Sequence, residues 1–458
     1  MNLQHMLRPK NIAVVGISLS NDRHPANIIF TKNHFRNPVK VYAVNPRGGI
    51  FHGQRVYTSI SEIPEPVDLA VISARAEFCP NILKECIESG VGGAAVISGG
   101  FAETGNLELQ NTMADMAEEA DFPFIGPNCL GLYIPEVADT FFLPSERIVK
   151  PSKGNVAIVS QSGGILVDQM VKFAGEGIGI SLGLSIGNKA VIGEIELLKY
   201  LIQDKNTEVI TFYIEGLGNY EGREFMIAAG KSPKPVVVMK AGKSAGGSRA
   251  VTSHTASIGG NYKIFSDIAL QHGVIEAKNE QELISFCESL SCFKKSIKGR
   301  LGIITGSGGH GAMAVDFCDE RGLSVAEFSR NYQEELRAKL SPSISQIASL
   351  GNPLDLTGSA SDEDFIHIAE SLSRQTDVDC ILLLLLPYLP GITLDLGARL
   401  GQVYENEGKP MIAYVPHVER YRMLIEGFEQ SKVPVSPSIE GAVLMAEAMK
   451  RCKTCKLI

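Results

Sequence analysis

The sequence predicts an α/β protein built from three parallel-sheet units in series. Three observations predict it. Short β-branched runs alternate with longer helical patterns throughout the chain, as parallel α/β architecture requires. The 458 residues amount to about three domains of roughly 150 residues each. A strand running into a Ser-Gly-Gly turn occurs twice, opening at Gly154 and again at Gly299, 145 residues later.

The first unit reads as five strands, "NIAVVG" from Asn11, "VKVYAVNP" from Val39, "DLAVISA" from Asp68, "GAAVISGG" from Gly93 and "FPFIGPN" from Phe122, with helical stretches between them. A doubly wound sheet fits this pattern, and its ligands bind at the carboxyl ends of the strands. The turn after the first strand carries Gly16, Ser18 and Ser20 without the G-x-G-x-x-G dinucleotide pattern. The second strand ends in Pro46 and Arg47 where a dinucleotide fold places the acid that holds a ribose. A ligand carrying additional phosphate therefore fits better than NAD. Ser73, Arg75, Ser98, Gly99 and Gly100 reach the same edge, and the alternative there is ordinary turn chemistry. Residues 143–153, with two prolines and little apolar periodicity, read as a linker.

The second unit opens with "GNVAIVSQSGGI". Ser162, Gly163 and Gly164 fall where a strand turns into a helix, and backbone amides at such a helix start form an anion nest. The third unit opens with the near copy "GRLGIITGSGGHG", in which His310 reads as a turn residue. "KPVVVMKAG" from Lys234 is echoed by "KPMIAYVPH" from Lys409, in the same order. Internal duplication accounts for both echoes; the alternative is that all units of this architecture look alike at this level. Residues 293–298 form a basic connection between the two. "GLSIG", 183–187, matches the nucleophile elbow of serine hydrolases, with Ser185 as the nucleophile it implies.

Composition removes several classes. Lys and Arg number 43 against 51 Asp and Glu, a net charge of -8 without long runs of one sign. That argues against a nucleic-acid partner, which needs a basic face. The apolar run "CILLLLLP", 380–387, is too short to span a bilayer and reads as a buried parallel strand. The N-terminus enters a strand almost at once, leaving no room for a signal peptide. Nine scattered cysteines, of which only Cys452 and Cys455 form a C-x-x-C pair in a basic tail, indicate reduced thiols, a cytoplasmic location and no metal site.

Residues 243–260, "KSAGGSRAVTSHTASIGG", offer almost no apolar area to bury and read as a mobile loop. Gly246, Gly247, Gly259 and Gly260 bracket a single histidine, His254. Neutral imidazole is a nucleophile near pH 7, provided that a partner fixes its tautomer. Glu215, ending the strand "VITFYIEG", is the best candidate for that partner; capping the next helix is its plainer role.

"VVGIS" with "AVNP", "GPNCLG", "VAIVSQSGG", "FYIEG" and "SHTAS", in this order, resemble the α subunit of nucleoside-diphosphate-forming acyl-CoA synthetases, of the archaeal ADP-forming acetyl-CoA type and related to succinyl-CoA synthetase. The resemblance covers nearly the whole chain. It implies a Rossmann-like CoA-binding domain (1–142) followed by two flavodoxin-like, succinyl-CoA-synthetase-like domains (154–292 and 299–458). It implies the reaction acyl-CoA + phosphate + ADP = acid + CoA + ATP, through an acyl phosphate and a phosphohistidine. On this resemblance His254 carries the phosphoryl group, Glu215 orients it, and Ser162, Gly163 and Gly164 cradle phosphate. Gly16, Ser18, Pro46, Arg47, Ser73, Arg75, Ser98, Gly99, Gly100 and Asn128 fall on coenzyme-contacting turns. The chain lacks the tyrosine that succinyl-CoA synthetases carry after the Ser-Gly motif, and its third unit is absent from their α subunits. No unit reads as an ATP-grasp domain. ADP or ATP with Mg is therefore expected on a separate β subunit, in a heterotetramer of two α with two β. A CoA-sensing protein of the same fold without catalysis remains the alternative.

Overall fold

The structure is a computed structural model that describes residues 1–218, 220–255, 261–454 and 456–457, with the side chains of 252–255 and 456–457 outside that description. The chain divides into two compact units, Met1–Lys278 and Asn279–Ile458.

The first unit contains two sheets. After a short helix α1 (Gln4–Leu7), one sheet is built from β1 (Asn11–Val15), β2 (Lys40–Val44), β3 (Gly49–Phe51), β4 (Gln54–Tyr57), β5 (Leu69–Ile72), β6 (Ala94–Val96) and β7 (Phe124–Ile125). The order is β3-β4-β2-β1-β5-β6-β7, parallel except for β3 against β4. Helices α2 (Pro25–Arg36), α3 (Cys79–Glu88) and α4 (Leu107–Glu119) cover it. Central strands such as β5 are buried along their whole length, as a parallel sheet with helices on both faces demands.

The second sheet has β8 (Gly131–Ile134), β9 (Ala138–Asp139), β10 (Lys153–Ser160), β11 (Ile180–Ser185), β12 (Val209–Ile214), β13 (Val236–Lys240) and β14 (Ile275–Glu276), in the order β14-β13-β12-β10-β11-β8-β9. Its helices are α5 (Gly163–Gly175), α6 (Glu194–Gln203), α7 (Glu221–Gly230), α8 (Ala245–Thr255) and α9 (Tyr262–His272). One apolar cluster runs through both sheets, from Val14 and Phe30 to Leu132 and Phe212. A buried ion pair ties them: Lys32 lies 2.9 Å from Asp139, and Lys150 pairs with the same carboxylate. Burial pushes the Lys32 ammonium down to about 8, with Asp139 opposing the shift.

In the second unit, β16 (Leu301–Thr305), β17 (Leu354–Asp355), β18 (Cys380–Leu384), β19 (Met411–Tyr414) and β20 (Val435–Ser436) form a wholly parallel sheet. A small pair, β15 (Lys295–Ser296) with β21 (Lys456–Leu457), lies beside it. The order β17-β16-β18-β19-β20 repeats β11-β10-β12-β13-β14 strand for strand. This is the 2-1-3-4-5 order of flavodoxin-like sheets. The echoed lysines also do the same work. Lys234 donates to the carbonyls of Leu201 (2.7 Å) and Asp204 (2.6 Å), closing the end of α6. Lys409 donates to Leu372 (3.0 Å) and Gln375, closing the helix Asp362–Arg374. Shared topology fits general likeness as well as duplication; the shared helix closure by equivalent lysines is what favours duplication.

Several expectations change. Residues 131–139, read with the first domain, add two antiparallel strands to the second sheet. There Leu132 N–H and Thr140 Oγ1 close the hairpin at 2.8 Å. Helix α10 (Glu280–Cys292), read with the second domain, belongs to the C-terminal unit. Its Glu282 meets Arg321 at 3.0 Å, and its Glu288 accepts from Val435 N–H at 3.0 Å. Within the basic 293–298 connection, Lys295 and Ser296 are a strand rather than linker. Cys79, Cys86, Cys129, Cys287, Cys318 and Cys380 are free and buried. Cys455 lies outside the described residues. Among the described residues no helix is long and apolar enough to cross a membrane.

The largest change concerns the histidine segment. Residues 245–255 form α8, not a loop. Ser244 supplies the reason: its Oγ accepts from Gly247 N–H at 3.0 Å and its carbonyl from Ser248 N–H at 2.8 Å. A serine cap contributes about 1 kcal/mol, which offsets about half of what the two helical glycines, Gly246 and Gly247, cost at roughly 1 kcal/mol each. Residues 256–260, with Gly259 and Gly260, lie outside the described residues.

Candidate functional site

The four central strands β2, β1, β5 and β6 end side by side, and the predicted coenzyme turns lie on their carboxyl edge. Gly16 has φ +104°, and a Cβ there would lie 2.1 Å from the Ser73 carbonyl, so no other residue fits. The buried Asn27 side chain locks this turn to α2, accepting from Ser18 N–H (2.8 Å) and donating to Ser18 O (2.7 Å). Ser18 Oγ accepts from Asn21 N–H (3.1 Å), and Ser98 Oγ bonds both Ala74 N–H (3.1 Å) and Ala74 O (2.5 Å). These hydroxyls, predicted as ligand contacts, thus fix turns. Ser73 is buried beneath the same edge. Pro46, Arg47, Arg75 and Gly99 are the exposed members, and the Arg75 side chain is 81% exposed, 3.9 Å from Glu77. Two exposed guanidinium groups on this edge, Arg47 and Arg75, suit a phosphorylated ligand.

A cavity of about 790 Å³ opens between this edge and the second sheet. It gathers Asn128, Ser162, Gly163, Gly164 and Glu215 from the predicted set. The turns at 16–18, 46–47 and 73–75 do not line it. Gly99 and Gly100 adjoin it through Glu103, which also lines it and accepts from Gly100 N–H at 2.6 Å and Asn188 Nδ2 at 2.5 Å. Burial raises the Glu103 carboxyl, but these donors outweigh it and hold the group below its usual range.

Ser160 Oγ accepts from Ser162 N–H (3.1 Å) and donates to Ser162 O (2.7 Å), fixing the turn from β10 into α5. Ser162 is the N-cap, its Oγ accepting from Ile165 N–H at 3.4 Å. The amides of Gly163 and Gly164 stand in the first turn, where no helical carbonyl precedes them. Side chains on Gly163 would crowd Leu130, whose Cβ lies 3.2 Å from a Cβ placed there. The small residues therefore let α5 present bare amides to the cavity, next to the Asn128–Leu130 turn.

Glu215 follows the last residue of β12 and is 6% exposed. Its N–H donates to Gln161 Oε1 (2.5 Å), and its carbonyl accepts from Lys240 Nζ (2.7 Å). Burial, reinforced by the Glu215 charge, pushes the Tyr213 phenol up to about 12. His254 lies on α8, and its side chain is outside the described residues.

Ser185 does not form a nucleophile elbow. It is 1% exposed, its Oγ accepts from Leu130 N–H at 3.2 Å, and the next helix begins only at Glu194. The sharp strand-to-helix turn that would expose a nucleophile is absent. Motif reading also missed Gln161, Asn188 and Lys189, which line the cavity, and Glu194 behind them. Gln161 stands inside "SQSGG", but its partners are 33 to 55 residues away, beyond any local pattern.

Residues 10–135 match the CoA binding domain family, and residues 153–290 match the family described as succinyl-CoA ligase like flavodoxin domain. The chain is 38% identical over 389 residues to acetate–CoA ligase [ADP-forming] I of Archaeoglobus fulgidus, covering 84% of this chain and 55% of that protein. It is 35% identical to the alpha subunit of acetate–CoA ligase [ADP-forming] II of Pyrococcus furiosus, covering 90% of this chain and 89% of that one. The alpha subunit of isoenzyme I from the same organism is 31% identical, with 98% and 97% covered. The chain thus spans about half the length of the first relative and nearly all of the two alpha subunits. Among solved structures, dinucleotide forming acetyl-coenzyme A synthetase 1 of Ca. Korarchaeum cryptofilum, in complex with phosphate and ADP, matches with a TM-score of 0.88 at 29% identity, over 98% of this chain and 96% of that one. At this identity and over nearly the whole length of both alpha subunits, the chain belongs to the ADP-forming acetate–CoA ligase family.

Proposed function

We propose that this chain is the phosphoryl-carrying α subunit of an ADP-forming acyl-CoA synthetase, with acetate as its acid. The observation that carries the reading is the single cavity in which the open amides of Gly163 and Gly164 and the carboxylate-bearing Glu215 face one space, beside the coenzyme edge. CoA lies along the carboxyl edge of the first sheet, with Arg47 and Arg75 toward its phosphates. Phosphate sits on the first turn of α5, where the helix dipole and bare amides favour a dianion.

The chemistry runs in three balanced steps. A phosphate oxygen attacks the thioester carbonyl; the C–O bond of an acyl phosphate forms, the C–S bond breaks, and CoA leaves as its thiol. A neutral nitrogen of His254 then attacks phosphorus; the P–N bond forms, the P–O bond to the acyl group breaks, and the carboxylate leaves. Glu215 holds the proton on the other ring nitrogen, so that the attacking nitrogen has its lone pair free. Finally an ADP oxygen takes the phosphoryl group, the P–N bond breaks, and ATP forms. Each transfer calls for positioning and charge stabilisation rather than covalent help from further residues.

The nucleotide and its Mg ion belong, on this reading, to a separate ATP-grasp β chain, in an assembly of two α and two β subunits in the cytoplasm. The relatives named as alpha subunits support a partner chain. The test is to combine this chain with the β chain, CoA, acetate and γ-labelled ATP. Acid-labile, alkali-stable label on His254, and acetyl-CoA in solution, are expected. CoA binding without label or product would overturn the reading in favour of a sensor.

A further inference from the structure

The turn that carries Glu215 is gripped by side chains that no motif assigns. Gln161 Oε1 accepts from both Glu215 N–H (2.5 Å) and Gly216 N–H (3.0 Å). Its Nε2 donates to Gly216 O (2.7 Å) and to the Glu194 carboxylate. Lys189 Nζ donates to Gly216 O (3.2 Å), Glu194 Oε2 (3.1 Å) and Glu221 Oε2 (3.1 Å), so its three protons meet three acceptors. Glu221 completes the ring by accepting from Gly218 N–H at 2.5 Å. Glu194 is 2% exposed and binds Gln161 with one oxygen and Lys189 with the other.

This arrangement is costly as mere stabilisation. A buried carboxylate–ammonium group is often replaceable by apolar side chains of similar volume without loss of stability. Burial raises the Glu194 carboxyl, opposed chiefly by Lys189, and burial lowers the Lys189 ammonium, outweighed by Glu194 and Glu221. Lys189 moreover adopts φ +47°, a region that non-glycine residues seldom occupy. Its neighbour Asn188 is fixed from the coenzyme side by Glu103 and Gln110 (3.0 Å). Gln161 directly precedes Ser162, so one residue touches the Glu215 turn while its backbone leads into the anion-binding amides.

We propose that Gln161, Lys189 and Glu194 are positioning residues, a clamp that fixes Glu215 at one spacing from the first turn of α5. The proposal rests on the reading of Glu215 as the residue that orients His254. The clamp ties the carboxylate that holds the imidazole to the amides that hold the phosphate, so nucleophile and phosphorus meet at a set distance. Displacements of about 1 Å lower such rates by about 100-fold.

The experiment uses the α chain with its β chain. Label transfer from γ-labelled ATP to His254 is timed in wild type, Lys189→Met, Gln161→Met, Glu194→Gln and Lys189→Arg, alongside the CoA dissociation constant and the melting temperature. The clamp predicts labelling slowed about 10- to 100-fold in the first three, partial recovery in Lys189→Arg, and unchanged CoA affinity. Glu194→Gln keeps the side-chain volume and serves if either methionine variant fails to fold. Folded variants that label at the wild-type rate would overturn the clamp, as would a loss of labelling that only parallels a loss of CoA affinity. A wild-type protein that takes no label on His254 would instead refute the reading of the site, and the clamp would fall with it.

Discussion

Gly16 shows how far a single residue constrains the coenzyme edge. Its positive φ and the 2.1 Å that a Cβ would leave to Ser73 O bar any side chain. Gly16→Ala should therefore destabilise the first unit by about 2 kcal/mol or more, measured as a lowered melting temperature, with CoA affinity lost alongside. Glu215→Gln should keep the fold and slow phosphorylation of His254 by about 100-fold or more, because an amide no longer holds the imidazole proton in the required sense. Rapid-quench labelling reads that directly. These positions were legible in the sequence because each belongs to a strand-to-turn junction with its own local signature: a glycine after "IAVV", a serine and two glycines after "VAIV", an acid after "FYI". Lys189 and Glu194 were not. Their meaning lies in contacts with Gln161 and Gly216, which only the folded sheet brings near.

At the scale of elements, α8 is the instructive case. Poverty in apolar residues read as a loop, yet Ser244 caps a helix over 245–255. The cap is a local hydrogen bond that hydrophobic periodicity does not register. Ser244→Ala should cost α8 about 1 kcal/mol, seen as faster amide exchange over residues 247–251 while the sheet strands keep their protection. The paired lysines test the duplication in the same way. Lys234→Met and Lys409→Met each remove a cation from a helix C-terminus and leave carbonyls short of a donor. Each should lower stability by about 1 kcal/mol, and the double variant should show the sum, since the two sites lie in different units. The echo of "KPVVV" in "KPMIA" was visible in the sequence; that each lysine closes the helix before the one that precedes it was not, because those helix ends lie about 30 residues away.

For the whole molecule, the alternation of strands and helices gave the parallel class and the order of units, while the boundaries followed tertiary contacts. The hairpin 131–139 and helix α10 each join the neighbour of the domain in which their sequence stands, because pairing partners rather than linear position decide membership. Each unit also carries an aspartate, half-buried Asp204 or buried Asp379, held below its ordinary value of 3.8. Burial raises Asp204 and Asp379, but Thr207 and Arg8 outweigh it at the first, and Arg300 at the second. A lowered carboxyl contributes stability above the unfolded value that is lost as pH falls through the folded one. The melting temperature should thus hold above about pH 5 and fall below about pH 4, and Asp379→Asn should remove part of that acid sensitivity.

The central claim is that a phosphoryl group rests on His254 between acyl phosphate and nucleotide. The most direct measurement is a rapid-quench time course with labelled inorganic phosphate, acetyl-CoA and the α and β chains, first without ADP and then with it. The account predicts acid-labile label on His254 that accumulates without ADP, discharges into ATP once ADP is added, and is absent from His254→Ala. Label passing from phosphate to ATP in His254→Ala at the wild-type rate, with no phosphohistidine in either protein, would contradict it.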